Sequence, residues 1–186
     1  MTSLLHAFAA ALLLATVMTV GDYVWAAFHI PHRTFYGILH GAVMCLFIGA
    51  VIGARAGRIL VGASAGPFIG IVAAGTFYLI APRSGWGAML PAWMVFWSLF
   101  SVLQQQLPPA GQPEPRWRAG LRGFAAAVLS GLAFYTISGI WTRPAPDGPN
   151  YAVHFASWWF AFLPGFLALF LRTGSPSASP SSNLRR

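Results

Sequence analysis

Asp22, His29, His32, His40, Asp147 and His154 are ionisable residues set within or beside long apolar runs of this chain. Such groups are costly inside a membrane and normally pair around a functional cavity. An Asp–His pair can hold a proton at neutral pH, because the carboxylate favours the imidazolium form and burial opposes it. The same oxygen and nitrogen donors suit zinc, iron or manganese. Two histidines on separate helices, such as His40 and His154, suit the axial positions of a b-type haem. Met18 and Met44 lie four residues from Asp22 and His40, with Cys45 adjacent, and such soft sulfur ligands suit Cu(I).

Each of these residues also has a plainer reading. His29, His32 and Asp147 stand in or next to connections, where a solvated side chain needs no role. An Asp22–His40 pair can simply fix one helix against the next, and His154 can be a hydrogen-bonded core histidine. Met18, Met44 and Cys45 can be packing. No H-E-x-x-H, C-x-x-C, G-x-S-x-G, phosphate-binding or dinucleotide glycine pattern occurs, and no nucleophile with a base can be named. Nothing in the sequence identifies a known family.

The elements that position these residues follow from composition. Of 186 residues 57% are hydrophobic and 8% charged, with eleven basic residues, all Arg, and three acids. Soluble domains carry roughly 25% charge, so this is an integral membrane chain and not a soluble domain. A net charge of +8 can suggest nucleic acid, but the Arg residues sit in short connections and form no basic stripe, so no nucleic-acid partner is expected. The lone Cys45 excludes a disulfide scaffold. Lipid is the expected environment.

About 20 apolar residues cross the bilayer, and backbone groups in lipid must be satisfied within helices. Six runs qualify, at about 4–28, 35–54, 59–80, 87–103, 121–141 and 151–171. The expected fold is all-α, a single six-helix transmembrane domain over 1–172 with a disordered Ser/Pro-rich tail at 173–186. Arg55, Arg58, Arg116, Arg118, Arg122, Arg172, Arg185 and Arg186 fall on one side, and Arg33, Arg83 and Arg143 on the other. This asymmetry places both termini in the cytoplasm, in a cell membrane whose Arg-, Ala- and Gly-rich composition suggests the inner membrane of a bacterium. A cleaved signal in helix 1 would want a positive start, and no Lys or Arg precedes Asp22.

The short turn at 29–32 makes helices 1 and 2 antiparallel neighbours. Pro31 suits the first turn of helix 2, and His32, Tyr36 and His40 step by four along one stripe. Asp22 then pairs with His40, about 8 Å inside the outer boundary, with His29 near His32 above them. Gly49, Gly53 and Gly57, and Gly62, Gly66 and Gly70, repeat every four residues and predict a tight hairpin of helices 2 and 3. Pro67, Pro91 and Pro164 are expected to kink helices 3, 4 and 6. Trp25, Trp86 and Trp141 read as an interfacial belt, and Trp117 as a loop residue at the headgroups. Trp93 and Trp97, one turn apart, either line a pocket for a flat apolar ligand or face lipid. Gln104–Gln106 mark the membrane exit.

The leading expectation is transport or binding of a small molecule or ion at an outward-facing site. That site comprises Asp22, His40, Tyr36, Trp93 and Trp97, with His29, His32 and His154 in support. The alternative is an enzyme or electron-transfer subunit holding a metal ion or haem b on Asp22, His29, His32, His40 and His154. A third is a non-catalytic partner or assembly subunit, in a homo-oligomer or a membrane complex, acting through its Gly faces and Trp belt.

Overall fold

In the computed structural model the apolar runs form six helices: α1 (Thr2–Ala27), α2 (Arg33–Arg55), α3 (Ile59–Ser84), α4 (Met89–Gln106), α5 (Arg116–Ile137) and α6 (Tyr151–Phe170). The structure describes residues 2–29, 31–107, 115–137 and 150–171. Glu114, Trp141, Asp147 and the tail at 173–186 lie outside the described residues. All helices but α4 are long and apolar enough to cross a membrane. With 18 residues, α4 is about 27 Å long. Its hydropathy is lowered by Trp93, Trp97, Ser101 and Gln104, all of which are buried inside the bundle.

Local chemistry moves several boundaries. Pro31 precedes α2 and does not start it, since His32 is the N-cap and Arg33 the first helical residue. Pro82, expected in a loop, lies inside α3, which runs on to Ser84. Pro91 is the third residue of α4, where a missing N–H costs nothing, so it starts the helix and is no interior kink site. Pro67 and Pro164 are interior. Trp117 belongs to the first turn of α5, with the Arg118 guanidinium 5.2 Å from its ring centre. The Asn150 side chain accepts from the Val153 N–H at 3.1 Å and caps α6, which sets His154 one turn inside the helix.

The packing order is the main departure from expectation. α1 packs chiefly on α6, then α6 on α5, α5 on α4, α4 on α3 and α3 on α2, while α1 and α2 meet sparsely despite their short connection. The reason is which faces carry small residues. On α1, Ala7, Ala11 and Ala15 are fully buried and continue through Met18 to Asp22, a smooth stripe on which α6 can approach closely. The edge-on ring pairs Phe8–Trp159 and Tyr23–Tyr151 flank this contact. On α2 the small face, Gly37, Gly41, Cys45, Gly49 and Gly53, turns to α3. A Cβ added at Gly49 would overlap the Gly62 carbonyl, and at Gly66 or Gly70 it would overlap the carbonyls of Cys45 or Gly41. The hairpin is therefore packed backbone on backbone, as its glycine spacing predicted. Gly57 is not part of that contact; it forms the turn, with φ +68°.

Candidate functional site

The described structure contains a cavity of about 180 Å³, lined by the late turns of α1, α3 and α5 and the early turns of α2, α4 and α6. It lies at the end of the bundle where α1 passes to α2. Met18, Asp22, Tyr36, His40, Met44, Cys45, Trp93 and Trp158 all contribute to its wall.

Asp22 is the centre of the polar cluster, and its partner is His154. The Asp22 Oδ2 and His154 Nε2 atoms are 2.7 Å apart. The Trp158 indole N–H donates to Asp22 Oδ2 at 3.1 Å and stands 2.9 Å from His154 Nε2. His154 is fully buried, whereas Asp22 is 21% exposed. One face of the carboxylate is thus held by two ring nitrogens of α6, one turn apart, and the other faces the cavity side. With a proton on His154 Nε2, Oδ2 accepts two hydrogen bonds; with that nitrogen bare, Trp158 can donate to either partner. The cluster can therefore lose or gain a proton without losing all its hydrogen bonds. Ser157 adds a bond from its hydroxyl to the His154 carbonyl at 2.7 Å.

His40 is not bonded to Asp22, contrary to the sequence expectation. Its Nε2 lies 2.7 Å from Met18 Sδ, and its ring rests on Gly21, where any Cβ would overlap it. The Tyr36 hydroxyl donates to the Gly21 carbonyl at 2.7 Å, and the Tyr36 and His40 rings are 5.8 Å apart. These two residues, spaced by four as read from the sequence, bridge the otherwise sparse seam between α1 and α2. Gly21 is what lets the bridge form.

The remaining expected residues separate. His29, with φ +51°, and His32 are both exposed in the turn between α1 and α2. Among the described residues no three His, Cys, Asp or Glu side chains gather closely enough to hold a metal ion. Trp93 lines the cavity, and its indole N–H finds no acceptor among the described residues. Trp97 lies deeper, 1% exposed, seated on Gly165 and donating to Ser130 Oγ at 2.9 Å. Neither ring faces lipid, but only Trp93 reaches the cavity; Trp97, expected in the site, is packed in the core instead. Trp25 lines the cavity as well, beyond the belt role expected of it.

Reasoning from sequence missed Trp158, and it missed the second polar set at the opposite end of the bundle. There Gln104 Nε2 donates to the Leu169 carbonyl at 2.6 Å, and Arg122 donates to the Ala168 carbonyl. Gln104, in the last turn of α4, thus has a partner that the sequence did not suggest; it and Arg122 cap the last turn of α6. For Trp158 a signal existed, because it stands four residues after His154 on the same helix face. No known protein family, curated protein or solved structure matches the chain.

Proposed function

We propose that this chain is a multi-pass membrane protein that binds or transports a small molecule or ion through the cavity bounded by Asp22, His40 and Trp158, with His154 buried behind Asp22. In this reading all six helices cross the bilayer and both termini are cytoplasmic. The observation that carries it is the hydrogen-bonded Asp22–His154–Trp158 cluster placed against a cavity within an apolar bundle. A carboxylate serving only structure would be enclosed by its partners; this one retains an exposed face. The excess of Arg on the opposite side supports an outward-facing cavity. Protonation of Asp22 and His154, rather than of Asp22 and His40, is the event that switches occupancy. Tyr36 and His40 hold the α1–α2 seam and are suited to govern entry.

A thermal-shift screen of small amines, metal ions, quinones and lipophilic acids on the purified protein tests this. The expected result is a compound that raises the melting temperature of wild type and leaves Asp22→Asn unmoved, with both proteins melting similarly when empty. A compound bound at 100 times its Kd stabilises by about 2.7 kcal/mol, well within reach of the method. Equal shifts in the two proteins for every active compound would refute the site.

A further inference from the structure

We infer that the cavity takes a small organic monocation, and that this cation exchanges with one proton shared by Asp22 and His154. The inference rests on the reading of the cavity as a ligand site and names the ligand's chemistry. Asp22 is the only carboxylate among the described residues, and no arginine lines the cavity. Eight of the lining side chains are aromatic, including Trp93, Phe134 and Trp158. Aromatic faces around a single carboxylate are the surroundings in which ammonium groups bind, because the ring quadrupole attracts positive charge. Both hydrogen bonds of Asp22 end on Oδ2, and the side chain stays partly exposed, so the carboxylate can meet a cation without giving up His154 or Trp158. A cavity of about 150 Å³ already accepts benzene. The volume here, about 180 Å³, suits one ring or a compact alkyl amine. The Trp93 indole N–H offers a donor to an oxygen on the same occupant.

Charge balance supplies the exchange. The groups that face Asp22 are His154 and Tyr151 from α6, Tyr36 and His40 from α2, and Tyr23 beside it on α1. None of them is an acid that could neutralise a second positive charge. Empty, the pair with one shared proton carries no net charge, which an apolar bundle favours. When the cation arrives, the shared proton leaves by way of Asp22, which borders the cavity, and carboxylate and neutral imidazole remain, so one charge enters and one departs. A neutral quinone would instead cover the exposed carboxylate face with no compensating charge.

Benzyltrimethylammonium, which has no proton of its own, is the probe, and duroquinone is the neutral comparison. Binding is followed by tryptophan fluorescence on detergent-purified protein, and proton release in weakly buffered solution. The expected result for wild type is saturable cation binding that, wherever the empty pair holds its proton, releases about one proton and has a Kd falling about tenfold per unit rise in pH. Asp22→Asn should weaken binding at least tenfold, while His154→Gln should bind without proton release or pH dependence. Cation binding without proton release in wild type, or undiminished in folded Asp22→Asn, overturns the inference. Binding of duroquinone but not the cation overturns it and leaves the ligand cavity standing. Failure of both probes on folded, monodisperse protein overturns both readings.

Discussion

The two ends of the bundle use polar side chains in opposite ways. At one end Gln104 and Arg122 close the last turn of α6, and Trp97, Phe100, Phe162 and Phe166 fill the space above it. Every ring there has a seat: Trp97 lies on Gly165 and is held by Ser130, and Arg55 covers Phe170 at 4.6 Å. At the other end Asp22, His154, Trp158, His40 and Tyr36 bond among themselves or across the thin α1–α2 seam, and a void remains between them. Polar groups that satisfy the backbone consolidate a membrane bundle. Polar groups that mostly satisfy one another beside a void leave that end less filled.

This contrast can be broken with one type of substitution. Gly165→Ala drives a methyl into the Trp97 ring, which has no space to move and would forfeit its bond to Ser130. The expected cost is about 3 kcal/mol, the upper range for overpacking. Unfolding can be followed with a thiol-reactive fluorescent dye, because Cys45 is the only cysteine and is fully buried. A variant that melts like wild type would mean that the closed end is softer than its packing indicates.

Arg122→Met, second in size, strips the Ala168 carbonyl of its donor and should cost about 2 kcal/mol by the same dye assay. Binding at the cavity should be unchanged, since Arg122 lies at the far end of α5. Altered affinity without lost stability would show that the ends are coupled.

The smallest effect is expected from Gly21→Ala. Its methyl would overlap the His40 ring as severely as the one at residue 165 overlaps Trp97. His40, however, borders the cavity and can swing into it, so the stability cost should stay under about 1 kcal/mol. What changes is function: the His40–Met18 contact breaks, the ring occupies the void, and the affinity of any cavity ligand falls. Destabilisation equal to that of Gly165→Ala would show that the open end is as tightly packed as the closed one.

Much of the helical layout was legible in the sequence, because a backbone in lipid must bond to itself and 20 apolar residues in a row leave it one way to do so. The α2–α3 hairpin was legible too, since glycine every four residues leaves a groove that only another backbone fills well. Asp22, His40 and His154 were each visible as ionisable groups out of place. Their pairing is not legible in the same way, because the short connection between α1 and α2 suggests a close packing that does not form. The stripe of Ala7, Ala11, Ala15, Met18 and Asp22 pointed elsewhere, and so did the extension of the α2 glycine face to Gly37 and Gly41, which turns that face to α3.

The sequence by itself determined that this chain forms apolar helices and which of its few ionisable groups lie within them, because local hydropathy and hydrogen bonding decide both. Only the tertiary structure decided that Asp22 meets His154, that His40 rests on Gly21, and that Gln104 and Arg122 close α6. Those contacts join residues 19 to 132 positions apart. Which of them form depends on which helix faces are smooth enough to touch, a property of pairs of surfaces that no single stretch of chain contains.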